Sequence, residues 1–181
     1  MATTYERLCK METRIHEVGF TTPRGIGSEI PHFVFDYPAE DELEVRSFVR
    51  RLVDQTSLNI CNVNLFELFL HLFEDEIDDL MELGDEEGYE GLVEATETVL
   101  DHQQTLVNAF LDQVNDAELV LITGVGSAFP FIRSSQLLKL LASIAYRRPI
   151  VLFYPGYFTG LQLRLFNRIM NEDQYQLSRI S

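Results

Sequence analysis

Only two cysteines occur in the 181 residues, Cys9 and Cys61, with no CxxC pair and no second cluster. That excludes a disulfide scaffold and a cysteine-held zinc knuckle, and it fits a reducing cytoplasm. Residues 1–10 hold no apolar run of signal-peptide length, and no stretch reaches the 18 or so consecutive apolar residues of a membrane span. Positive charge is scarce as well: 14 Lys and Arg stand against 29 Asp and Glu, for a net charge of −15. Such a chain carries no overall electrostatic footprint for gripping a phosphate backbone. What remains, 46% hydrophobic and 24% charged, is the composition of a folded domain with its own core.

The charge is divided along the chain. Residues 1–51 hold 7 bases and 9 acids, 52–132 hold 18 acids and no base, and 133–181 hold 7 bases and 2 acids. An acidic run is either a solvated helix face or a surface that docks on a basic partner. An acidic DNA mimic is a third reading, weakened by the basic C-terminal part.

Hydrophobic periodicity gives the fold class. His32–Tyr37 (HFVFDY), 57–64 (SLNICNVN), 118–123 (ELVLIT) and 150–154 (IVLFY) read as strands. Between the first two, Val45, Phe48, Val49, Leu52 and Val53 follow helical spacing after Pro38 and three acids suited to a helix start. Two acidic helices are expected over 65–114. The first (65–83) carries Phe66, Phe69, Leu70, Phe73, Ile77, Leu80 and Met81 on one face and ends at Gly84; a turn over 85–88 leads to the second (90–114), with Val99, Leu106, Phe110 and Val114 inward. A helix over 133–146 closed by Arg147 and Arg148, a last helix over 160–170, and an edge strand over 174–180 complete the reading. Strand–helix–strand repetition predicts a single α/β domain over residues 1–181, three-layered α/β/α, with a mainly parallel sheet and a two-helix acidic crossover or insertion.

Ligands in such folds bind beyond the carboxyl ends of the strands, which here are Asp36, the Gly124–Ser127 loop and Pro155-Gly156. The loop Gly124-Val125-Gly126-Ser127, with Arg133 following, could hold an anion or nucleotide phosphate. Yet it lacks the Lys-Ser/Thr of a Walker A, and Phe129 stands where GxGxxG needs its last glycine. The Gly25–Gly27 turn precedes a strand, the wrong side for a phosphate cradle. Ser127 lacks the GxSxG elbow. His71, Glu74, Asp75 and Asp78 have helical spacing for a metal but nothing sets them apart from the surrounding acids. The sequence therefore yields no catalytic residue, no metal site and no cofactor.

Leu119–Ser127, Phe129–Ser134 and Pro149–Gly156 resemble the BrxB family of the BREX bacteriophage-exclusion systems, as do Gly25–Ile30 with Phe33–Pro38, Asn64-Leu65-Phe66, Leu161–Phe166 and the 171–177 block. Departures fall at Ser134-Ser135, where the family commonly has Ser-His, and at Asp173-Gln174-Tyr175. The resemblance implies a cytoplasmic phage-defence component with no known active site. It also implies assembly beside other BREX proteins, above all the alkaline-phosphatase-like PglZ protein, in an adaptor role, with DNA reached only through the complex and no membrane contact. The alternative is a regulatory module that binds a nucleotide or anion through Gly124, Gly126, Ser127 and Arg133.

Overall fold

The computed structural model describes residues 1–22, 32–101, 103–144, 146–170 and 176–181. The Gly25–Gly27 turn and most of the 171–177 block lie outside the described residues. Helix α1 (Thr4–Ile15) opens with a capping box in which the Thr3 side chain and Glu6 satisfy each other's backbone amides. Strand β1 (His32–Tyr37) then leads through a 3-10 turn to α2 (Glu42–Gln55) and β2 (Ile60–Asn64). Helices α3 (Leu65–Leu72), α4 (Ile77–Asp101) and α5 (Gln103–Val114) follow, then β3 (Leu119–Thr123), the single-turn α6 (Val125–Ala128), α7 (Ser134–Ser143) and β4 (Ile150–Phe158). Short strands β5 (Leu163–Leu165), β6 (Ile169–Met170) and β7 (Ser178–Arg179) end the order.

The central strands run β2-β3-β4-β1-β7, and every neighbour in that row is parallel. Alternation along each strand sends its side chains to two cores. Phe33, Phe35, Leu119, Leu121, Val151 and Phe153 face α1 and α2, meeting Leu8, Met11, Phe48 and Leu52. Val34, Val120, Ile122, Ile150 and Leu152 face the other way, onto Leu68, Leu106, Phe110, Leu137 and Leu141 of α3, α5 and α7. The three-layer α/β/α architecture with a mainly parallel sheet is thus present, and it needs both faces covered because its strands are apolar on both.

Several boundaries differ from the sequence reading. The expected helix over 160–170 is instead the β5–β6 hairpin, turned by Phe166 and Asn167 at φ 51° and 58°. Strand β4 does not stop at Pro155-Gly156 but runs on to pair its far end antiparallel with β5. Gly156 lets this happen, since a Cβ there would lie 2.0 Å from the Arg164 carbonyl oxygen. The first acidic helix breaks at Phe73, so α3 buries Leu65, Leu68 and Phe69 while Phe66, Leu70 and Met81 are left exposed. Gly84 stays helical beneath the Leu92 side chain, and the chain turns at Gly88, whose φ is 72°. Leu100, rather than Val99, faces the core. Helix α7 stops at Ser143 and Arg148 does not close it; its Nη1 donates to the Asp116 carbonyl at 2.6 Å, ahead of β3.

Candidate functional site

At the carboxyl ends of β2 and β3 an open cleft of about 550 Å3 lies between the strand ends and α2, within the roughly 300–1,000 Å3 of small-molecule sites. Its polar wall is built from Arg46, Arg50, Asn62, Asn64, Thr123 and Ser127. Helix α2 supplies the two arginines because its apolar stripe, Val45, Phe48, Val49 and Leu52, packs on the sheet and turns positions 46 and 50 outward.

The strand ends are fixed by a short chain of hydrogen bonds. Asn64 is the N-cap of α3, its Oδ1 accepting from the amides of Phe66 (2.9 Å) and Glu67 (3.3 Å). Gly124 sits directly against this cap: its φ is 72°, and a Cβ there would lie 2.2 Å from Asn64 Oδ1. The glycine is therefore needed both for the left-handed turn and for the close approach of β3's end to the cap. One strand residue earlier, Thr123 Oγ1 donates to Asn62 Oδ1 at 2.9 Å. Asn64→Ala is expected to cost about 1 kcal/mol in urea unfolding, the ordinary loss of an N-cap.

Charge in the cleft is partly compensated. Glu42 accepts from Arg46 Nε at 2.7 Å and from the Tyr37 hydroxyl at 2.6 Å. Burial, with the hydrogen bond to Glu42 and its charge, pushes the Tyr37 phenol upward, so it stays a proton donor. Arg46 Nη2 also reaches Ser127 Oγ at 3.5 Å.

Of the four residues singled out for an anion, Gly124 and Ser127 come together on this cleft. Gly126 does not line it; a Cβ there would lie 3.0 Å from the Phe166 ring and 3.4 Å from the Pro155 ring. Arg133 precedes α7 and lines two other cavities, of about 360 and 120 Å3, with its guanidinium 5.9 Å from the Phe129 ring centroid. The residues that sequence reasoning missed are Arg46, Arg50, Asn62 and Asn64, some 60 to 80 positions before the glycines.

Elsewhere the strand ends are used internally. Asp36, 5% exposed, accepts from Arg7 Nη2 (2.9 Å), Arg179 Nη2 (2.7 Å) and the Phe158 amide (3.0 Å). Burial alone would raise its carboxyl; the Arg179 hydrogen bond, the Phe158 amide and the charges of Arg179 and Arg7 outweigh it and hold it below the ordinary value. His71 Nδ1 lies 3.5 Å from Glu74 Oε2, both exposed, and the break at Phe73 leaves His71 on α3, Glu74 and Asp75 in a 3-10 turn and Asp78 on α4. Burial raises the Cys61 thiol, whose Sγ donates to the Gln113 carbonyl at 3.4 Å; that is the setting of an unreactive thiol. Among the described residues no group of three His, Cys, Asp or Glu converges to hold a metal ion, and no helix is long and apolar enough to cross a membrane.

Fold and site together define a parallel α/β/α domain with an open polar cleft at its strand ends. The profile described as BREX protein BrxB matches residues 61–180. A BREX protein BrxB of Bacillus cereus (strain H3081.97) is 31% identical over 180 residues, covering 94% of each chain. Another, of Escherichia coli O9:H4 (strain HS), is 26% identical over 180 residues, covering 96% of this chain and 90% of its own. No solved structure matches the chain significantly. The chain belongs to the BrxB family, and is thereby a component of a BREX system with other BREX proteins as its partners.

Proposed function

We propose that this chain is a non-catalytic cytoplasmic adaptor of a BREX phage-defence complex, docking on other BREX proteins and foremost on the PglZ-type protein. The observation that carries the reading is the acidic helix α4 within a BREX component. It has ten acids and no base between Ile77 and Asp101, and no residue from Ile77 to Ala95 is buried. Met81 and Tyr89 stand exposed among those acids, at 67% and 55%. A long helix that contributes so little to the core and presents acids around apolar side chains suits a basic, apolar partner surface. DNA contacts then come through the partners, which supply the phosphate-neutralising charge.

Co-purification of the chain with the full set of BREX proteins should give a stable complex that contains PglZ. Reversing Asp85, Glu86 and Glu87 to lysine should weaken capture of the partner by about tenfold or more at physiological salt, with little change in the melting temperature of the isolated chain. A chain that elutes alone with all the BREX proteins present would overturn the adaptor reading.

A further inference from the structure

We propose that the cleft at the ends of β2 and β3 binds a mononucleotide, with the phosphate on Arg50 and the side-chain amides of Asn62 and Asn64 and the base against Phe66. The donor set comes first. Arg46 is held by Glu42, whereas the Arg50 guanidinium, exposed in the same cleft, has no ion pair or hydrogen bond among the described residues. An asparagine offers one acceptor oxygen and two amide N–H donors. The oxygens of Asn62 and Asn64 are both spent inside the protein, on Thr123 and on the α3 cap. Their Nδ2 groups are therefore the unspent halves, and both side chains line the cleft beside Arg50. The Arg50 guanidinium and these two amides line one cleft as donors complementary to phosphate oxygens.

The remaining residues say what the phosphate is attached to. Asp54 and Glu67 also line the cleft. In a chain of net charge −15 they disfavour a bare anion, but they accept hydrogen bonds from sugar hydroxyls. Phe66 lines the same cleft with 36% of its surface open, and its ring is nearly parallel to Phe69, at 13° and 6.4 Å between centroids. An aromatic ring anchored on one side and open on the other is a stacking platform for a planar base. The volume of about 550 Å3 leaves room for base, sugar and one phosphate together. The position, beyond the carboxyl ends of parallel strands, is where open α/β sheets hold nucleotides. The glycine loop takes part as the backbone that lets β3 approach the Asn64 cap, not as a phosphate cradle.

The test is calorimetry on the full chain with AMP, GMP, adenosine and inorganic phosphate as separate titrants. At least one nucleotide should bind with a Kd of about 100 μM or tighter, and adenosine and phosphate should each bind about tenfold or more weakly. Arg50→Gln should weaken the nucleotide about tenfold while the melting temperature stays within about 2 °C, since the side chain is exposed and unpaired. Phe66→Leu, which keeps apolar bulk but removes the ring, should cut the preference for nucleotide over phosphate to about threefold or less. No binding of either nucleotide at about 2 mM, inorganic phosphate binding as well as AMP and GMP, or an Arg50→Gln protein of unchanged affinity would each overturn the proposal. Capture of BREX partners is read separately, so failure here leaves the adaptor reading standing.

Discussion

Asp36→Ala should lower the unfolding free energy by about 3 kcal/mol in urea titrations at pH 7, at the lower end of what breaking a buried ion pair costs. The carboxylate is almost fully buried and ties four elements together: Arg7 on α1, Arg179 on β7, the Phe158 amide on β4, and its own strand β1. Arg179 also donates to the Phe158 carbonyl. Removing the carboxylate leaves the Phe158 amide without its partner and two guanidiniums facing each other. The loss stays near the lower end because Arg7 and Arg179 keep 22% and 40% of their side chains in water and can rehydrate. Arg7 also retains its place over the Phe35 ring, 4.8 Å from the centroid. The pH dependence follows from the depressed carboxyl: its contribution is complete above 3.8 and is lost only as pH falls through the lower folded value. A change below about 1 kcal/mol, the ordinary size of a surface ion pair, would show that the network does not brace the sheet.

The strands were legible because parallel strands buried on both faces read as unbroken apolar runs, and 32–37, 119–123 and 150–154 are such runs. The helices were legible in place but not in number or phase: the two expected over 65–114 are three, α3, α4 and α5. Three glycines, Gly84, Gly88 and Gly91, lie in the acidic segment; the chain turns at Gly88, while Gly84 stays helical beneath the returning Leu92 side chain. That contact depends on where the second half of the helix packs, which no local pattern encodes. The 160–170 hairpin carries a strand signal that the helical reading overrides. Leu161, Leu163 and Leu165 alternate with Gln162 and Arg164, a period of two, but the strands are so short that the helical count competed with it.

The candidate site was half legible for a topological reason. Gly124 and Ser127 stand beside an obvious strand end and attract notice. Arg46 and Arg50 lie on the flank of a helix that periodicity marks only by its buried stripe. The β1–α2–β2 crossover skips over two strands to place β2 at the far end of the sheet, and so carries α2 across to the same strand ends. A single sequence contains the order of elements but not the order of strands. The one local hint was Asn62 and Asn64, polar residues closing a strand where apolar ones would pack, followed at once by a helix.

Between pH 6.5 and about 4 the protein should lose about 3 kcal/mol of stability through His32 alone, about 2 of it by pH 5. His32 begins β1, is 5% exposed, and its Nε2 is buried without a hydrogen-bond partner. Desolvation by burial lowers its pKa from 6.5 to about 4, opposed by a hydrogen bond to the backbone of Tyr146. The ring is therefore neutral in the folded protein, its other nitrogen donating to that backbone. As pH falls below 6.5 the unfolded chain takes up a proton that the folded chain refuses, and the equilibrium moves toward unfolding until the folded ring is protonated as well. Above pH 6.5 the contribution is complete and flat. His32→Asn keeps a donor for the Tyr146 backbone but carries no titrating group. Acidification of the carboxylates, Asp36 among them, affects both proteins alike, so the informative quantity is the wild-type stability minus that of His32→Asn. Urea unfolding at pH 7 and pH 5 should show this difference shrinking by about 2 kcal/mol. Parallel curves across that interval would mean that the folded protein binds the proton at His32 as readily as the unfolded chain does.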